Sequence, residues 1–195
     1  RLYTAGATSR PRRAAQTALH HILQSLTRLI APVLSFTAEE IWSTLHIDKN
    51  DSVFLHTYYR FPDVENAVAL KSKWSRLREI RAVAMKEIEE KRTAGEIGSS
   101  LQAELDFTVS AEDGALLATL ADDLRFVVIT SRAGVDANAL PAGAPVACKV
   151  TASSHRKCER CWHYRSDVGS DAGHPTICGR CVSNLFGDGE KRFHA

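Results

Sequence analysis

Four of the five cysteines in this 195-residue chain stand in two short pairs, Cys158 with Cys161 and Cys178 with Cys181, with sixteen residues between the pairs. Each Cys-x-x-Cys turn brings two sulfurs to one side of a tetrahedron of radius about 2.3 Å, and the spacing between the pairs falls inside the four-thiolate zinc pattern. The chain has no apolar run long enough to cross a bilayer and no secretory signal pattern at its N-terminus, so a cytoplasmic location is expected. In a reducing compartment paired cysteines bind metal more often than they form disulfides. One structural Zn2+ is therefore expected, because four thiolates leave no open position for water or substrate. The segment around it is short and poor in aliphatic residues, so metal binding must supply its stability.

His155, His163 and His174 lie near the cysteines, but with four sulfurs in register they read as surface histidines. Cys148 falls in a strand-like alternation and reads as a small buried residue. Five basic side chains stand against three acidic ones across the cysteine segment, and a zinc tetrathiolate of charge minus two brings the local balance to zero. Any contact with nucleic acid must then use particular groups. Arg160, Trp162 and Tyr164 offer guanidinium and ring faces that stack on unpaired bases. A Trp162 that merely covers the metal fits the residues equally well.

A second basic feature opens the chain: Arg1, Arg10, Arg12, Arg13 and Arg28 with no acid before residue 39. Arg10, Arg12 and Arg13 fall at a helix start, where the macrodipole disfavours cations by about 0.3–1 kcal/mol each. Phosphate contacts would justify them, and a solvated charge cluster is the plain alternative. No phosphate-cradling glycine loop, no nucleophile with its base and no paired-carboxylate site is present. With 44% hydrophobic and 25% charged residues, the chain has the composition of a soluble globular protein, and without those motifs it reads as a binding module.

The elements that must position these groups read as mainly helical. Pro11 suits a helix start, and Leu19, Ile22, Leu23, Leu26, Leu29 and Ile30 recur at three- and four-residue steps as a core-facing stripe ending at Pro32. In "SFTAEEIW", Thr37 and Glu40 fit a capping box, with Phe36 stapled to Ile41. Leu70, Trp74, Leu77, Ile80, Ala84 and Ile88 mark a long helix with Gly95 just past its end. "LQAELDFTV" alternates as a half-buried strand, Ser110 with Asp113 fits a second capping box, "RFVVIT" and "VACKV" read as strands, and "AGVDANALPAGAP" reads as a loop. The expected fold is multidomain and mainly α: a helical unit at 1–95, a small α+β unit at 96–152, and a four-cysteine zinc-ribbon-like module with its tail at 153–195.

Together "RLYT", "LIAPVLSFTAEEIW", "KWSRLREIRAVAMKEIEEKRTAGEIGSSLQAEL" and "CERCW … CGRCVSNLFGDGEKRFHA" resemble the C-terminal part of bacterial-type isoleucyl-tRNA synthetases. "APVLSFTAEEIW" is shared in kind with the related class I enzymes for valine, leucine and methionine, and the "GEIGSSL" strip with the four-cysteine ending points to isoleucine. The resemblance implies a helical anticodon-binding domain, zinc on the four cysteines, and contacts of Arg160 and Trp162 with the anticodon loop of isoleucine-accepting tRNA. It also implies that the chain is a piece of a longer polypeptide and has no catalytic site of its own. Upstream catalytic and editing domains would carry the ATP-dependent activation of isoleucine and its transfer to tRNA; ATP is not expected to bind here, and a monomer is expected. The competing reading is a stand-alone zinc-ribbon binder of nucleic acid, similar to the finger of formamidopyrimidine-type DNA glycosylases.

Overall fold

Proline holds its φ near the helical value and lacks an amide that a first turn would leave unpaired. Pro11 accordingly stands as the second residue of helix α1 (Arg10–Ile30) in the computed structural model, which describes residues 2–46, 48 and 50–192. Arg1 and the closing "FHA" lie outside the described residues. The chain forms two compact units, one of Arg12–Glu65 with Leu2 and one of Tyr3–Pro11 with Asn66 onward.

In the smaller unit, α1 is followed by α2 (Ser35–Leu45) and a 3₁₀ turn at Val53–Leu55. Its core is Ala31, Ala38, Trp42 and Val53, with Ile30 packed against them. The expected core stripe of α1 is corrected here: Gln24 and Thr27 are the buried residues, while Leu19, Ile22, Leu26 and Leu29 are exposed. Thr27 can be buried because its hydroxyl donates to the Leu23 carbonyl at 2.8 Å. The capping box at Thr37 is corrected as well. The amides of Val33 and Leu34 both fold back onto the Ile30 carbonyl, so α2 begins at Ser35 without a side-chain cap, and Phe36, 93% exposed, staples nothing.

The larger unit is mixed helix and sheet. Helix α3 (Ala67–Thr93) ends where the sequence places its stop: Gly95 takes φ +75°, and the Glu96 amide reaches back to the Lys91 carbonyl, the backbone closure that glycine permits at a helix end. Strand β1 (Ala103–Ser110) is central, parallel to β2 (Arg132–Leu140) on one side and antiparallel to β3 (Ala147–Ala152) on the other. Alternation puts Ala103, Leu105, Phe107 and Val109 into one core with Leu77, Ile80, Ala84 and Ile88 of α3. The long helix thus belongs with the sheet, and the compact units divide near residue 66 rather than at 95.

Between β1 and β2 run α4 (Ala111–Ala118), a 3₁₀ turn at Ala121–Asp123 and α5 (Leu124–Val128). The Ser110 hydroxyl accepts from the Asp113 amide at 3.3 Å, as the capping pattern predicts. Two expectations are overturned. "RFVV" is helical, since Leu120, Leu124 and Val128 recur every four residues and all enter the core. The stretch "AGVDANAL" is strand β2, because the open edge of β1 recruits it despite its turn-prone composition; Gly114 allows α4 to approach it, since a Cβ there would lie 2.5 Å from the Ala137 Cβ.

Arg76 on α3 grips Asp113 with two bonds, Nε to Oδ1 at 2.8 Å and Nη2 to Oδ2 at 2.7 Å. Hydrogen bonding from Arg76 holds the Asp113 carboxyl below its ordinary range against the opposing effect of burial. A depressed folded pKa contributes stability above the unfolded value and loses it as pH falls through the folded one. Arg76→Gln should therefore cost about 1–3 kcal/mol at neutral pH, and the gap to the parent should close as pH drops below about 4. Urea midpoints that stay equally separated in acid would refute this role.

Candidate metal centre

Short strands β4 (Arg156–Lys157) and β5 (Tyr164–Arg165) pair antiparallel and hold the first cysteine turn between them. The Trp162 amide donates to the Cys158 carbonyl and the Cys158 amide to the His163 carbonyl, both at 2.9 Å. This closure forces Trp162 to φ +66°, a left-handed conformation uncommon outside glycine. The second pair sits at the start of α6 (Gly179–Phe186): Cys178 precedes the helix, and Cys181 lies in its first turn. A hairpin turn and a helix start thus each present two sulfurs.

The four Sγ atoms lie within 4.8 Å of one another and all four residues are buried. Cys158 and Cys181 are 3.8 Å apart at sulfur, as are Cys161 and Cys178. A disulfide would need about 2.05 Å, whereas the edge of a tetrahedron with metal–sulfur bonds of about 2.3 Å is about 3.8 Å. The cluster therefore fits one structural zinc. Four sulfurs this close cannot all be ionised without a cation, because like charges repel. A divalent ion removes that conflict by allowing all four to be thiolates.

Arg160 binds at this centre. Nη1 donates to the Thr4 carbonyl at 2.9 Å and lies 3.7 Å from the Cys181 sulfur, while Nη2 donates to the Tyr3 carbonyl at 3.0 Å. Arg160 so joins the N-terminal segment to the zinc module. Trp162 is 60% exposed, with the Lys157 ammonium 5.6 Å from its ring centroid. His163 is not the surface residue expected: it is buried, its Nδ1 lies 3.1 Å from the Cys161 carbonyl, and its ring meets Phe126 edge-on. Burial, and then the charges of Arg125 and Arg180, push its pKa down to about 4, so the ring is neutral. Cys148 is half-buried on β3, and burial pushes its thiol up to about 12.

Sequence reasoning missed the cluster that fastens the tail. Arg125, Arg180 and Arg192 carry their guanidinium carbons within 5.0 Å of the Phe126 ring centroid. Arg180 also forks onto Glu190, with Nε to Oε2 at 2.6 Å and Nη2 to Oε1 at 2.8 Å. Burial alone would raise the Glu190 carboxyl, but Arg180 more than offsets it and the net shift is downward. Phe126 was hidden within the run read as a strand. The remaining basic candidates stand on the first turn of α1, where Arg10 and Arg13 are exposed and Arg12 donates to the Leu2 carbonyl.

The family model described as the anticodon-binding domain of tRNA ligase matches residues 1–107, and the zinc finger found in FPG and IleRS matches residues 156–184. Among curated relatives, an isoleucine–tRNA ligase of Nitrosomonas europaea is 55% identical over 196 residues, covering 98% of this chain and 21% of the relative. Those of Janthinobacterium sp. and Thiobacillus denitrificans are each 52% identical, covering 98% and 100% of this chain and 20% of each relative. The chain spans about a fifth of the length of these relatives.

Cys158→Ser or Cys178→Ser should reduce bound zinc from about one per chain to a small fraction of that. Residues after about 153 should then lose amide protection while the core of α3 and β1 keeps it. Unchanged metal content by elemental analysis would refute the four-sulfur site.

Proposed function

The chain belongs to the anticodon-binding domain family of tRNA ligases, and on that premise we propose that it is the part of an isoleucine–tRNA ligase that grips the anticodon stem-loop. The observation that carries this reading is the joint presence of the tRNA-ligase anticodon model and the zinc finger in a chain matched almost end to end by isoleucine–tRNA ligases. A glycosylase-type finger would account for the cysteines but not for residues 1–107.

The complete enzyme would use ATP to activate isoleucine and pass it to tRNA in upstream catalytic and editing domains. The exposed stripe of Leu19, Ile22, Leu26 and Leu29 supports packing of α1 against such further chain. We assign residues 153–195 as the zinc module, with the ion as a staple and no step of chemistry on it. A monomer in the cytoplasm suits this reading. No helix among the described residues is long and apolar enough to cross a membrane.

Recognition would fall to groups with free faces. The exposed ring of Trp162, set outward by a turn that metal locks, is a platform for an unpaired base. Arg160 has Nη1 and Nη2 engaged with protein acceptors and would offer RNA its planar face. Arg10, Arg12 and Arg13 would meet phosphates, Arg12 with one nitrogen already committed to Leu2.

Two measurements check these roles. Trp162→Ala should weaken binding of an isoleucine anticodon stem-loop by about 1–3 kcal/mol without loss of fold, and equal affinity for variant and parent would end the stacking role. Arg13→Gln should lower the slope of log affinity against log salt by about 0.7–0.9. An unaltered slope would leave Arg13 as a solvated charge.

A further inference from the structure

Each cysteine turn carries an arginine directly ahead of its second sulfur, Arg160 in "CERC" and Arg180 in "CGRC". A residue that adjoins a metal ligand has its backbone fixed once the ligand is held, so one ion aims both arginines. Both reach the same residue, Thr4, 156 and 176 positions away in the chain. Arg160 donates from Nη1 to the Thr4 carbonyl at 2.9 Å and from Nη2 to the Tyr3 carbonyl at 3.0 Å, and Arg180 Nη2 donates to Thr4 Oγ1 at 3.3 Å. The arginines are themselves held. Arg160 Nη1 lies 3.7 Å from the Cys181 sulfur, a contact that becomes charge-assisted when that sulfur is a thiolate. Arg180 is buried and forked onto Glu190, whose own amide donates to Asn184 Oδ1 at 2.9 Å.

The segment they grip has little else to hold it. Its one large side chain, Tyr3, is 88% exposed, so burial of the ring does not fix it. Ala5 is buried, and Gly6 lies beside the Asn184 carbonyl, where an added Cβ would stand 3.8 Å from the oxygen. The Ser9 amide then closes on the Gly6 carbonyl at 3.1 Å, directly ahead of the start of α1 at Arg10. Thr4 also walls a cavity of about 270 Å³ together with Phe126, His163 and Cys161. Cys161 is the most exposed of the four sulfur residues, at 7%. Lifting the segment would therefore open one side of the metal centre to water.

We propose that residues 3–6 are a strap clasped by the two cysteine turns, closed while the four sulfurs hold their ion, and that the closed strap in turn strengthens metal binding. Linkage requires this reciprocity: the factor by which bound metal favours the closed strap is the factor by which the closed strap favours metal. A strap held only by the packing of Ala5 would stay down without the ion, since nothing in that packing changes when the sulfurs are freed. The metal centre thereby sets the order of a segment at the other end of the sequence, the one that leads into the basic first turn of α1. The proposal rests on the four-sulfur site and does not use the tRNA-binding reading.

The test digests the whole 195-residue chain with chymotrypsin and follows the cut after Tyr3 by intact mass, with the cut after Tyr58, also exposed, as internal reference. The variants are Arg160→Lys, which keeps the charge and loses the fork, Ala5→Lys, which puts a cation at the buried place beside Thr4, and Ala5→Ser, which stays small. With zinc bound, the Tyr3 cut relative to Tyr58 should be about tenfold faster in Arg160→Lys and Ala5→Lys and unchanged in Ala5→Ser. The chelated parent should be cut at least as fast as these two. In competition with a chelator, Ala5→Lys should hold zinc about tenfold more weakly and Ala5→Ser as tightly as the parent. Arg160→Lys leaves the strap sequence intact, so the clasp is still tested if Ala5→Lys does not fold. A Tyr3 cut at the parent rate in zinc-bound Arg160→Lys overturns the clasp. A chelated parent cut no faster than its zinc form, or an Ala5→Lys that opens with undiminished zinc affinity, overturns the coupling. A parent without zinc by elemental analysis overturns the four-sulfur site and the strap with it.

Discussion

Four sulfurs packed within 4.8 Å of each other constrain everything around them. Bare thiolates at that distance repel, and bare thiols hold only weak hydrogen bonds, so the geometry has a stable charged form only around a cation. The rest of the module follows from satisfying that centre. The backbone amides of the first turn close it, which leaves Trp162 in a left-handed conformation with its ring in solvent. Arg160, 3.7 Å from one sulfur, is aimed so that its remaining donors capture two carbonyls of the N-terminal segment. A metal site without a catalytic position thus governs which side chains are displayed and which are tied down.

The sheet unit gives this module a base. The Ser131 hydroxyl donates to the Leu101 carbonyl at 2.5 Å and accepts from the Tyr164 amide at 2.6 Å. The Ser153 amide donates to the Gln102 carbonyl, and its hydroxyl to Glu104 at 2.6 Å. Both serines flank β1, whose apolar face is held by α3. A long helix that anchors a strand, and a strand whose N-terminal end anchors the metal hairpin, make one continuous support.

What could be read from the residues alone depended on how local the deciding interaction was. The cysteine spacing, the Gly95 helix stop and the Ser110 cap are fixed within a few residues, and each is where the pattern places it. "RFVVIT" failed because a short apolar run has no period of its own; its fate was settled by the four-residue step from Leu120 through Leu124 to Val128. "AGVDANAL" failed because strand pairing with β1 outweighs turn propensity, a choice made by a partner some thirty residues away. The stripe on α1 was correctly amphipathic, but periodicity says which residues share a face and not whether the same chain covers it. Phe126 gave no signal, since three arginines distant in sequence converge on it only in the fold.

The distribution of arginine partners separates structure from recognition better than the net charge of +2 does. In the sheet unit Arg76 holds Asp113, Arg132 holds Glu104 and Asp106, Arg125 holds Asp122, and Arg180 holds Glu190. Such pairs cancel in the far field, so a polyanion approaching that surface meets little net attraction. Among the described residues none of Arg10, Arg12, Arg13 and Arg28 forms such an ion pair, and no acid occurs before residue 39. Arg12 bonds a neutral carbonyl, and Arg28 lies against the ring faces of Trp42 and Tyr59; neither contact removes its charge. Uncompensated cationic charge therefore collects on α1, a helix that lies within the residues matched by the anticodon-binding family model.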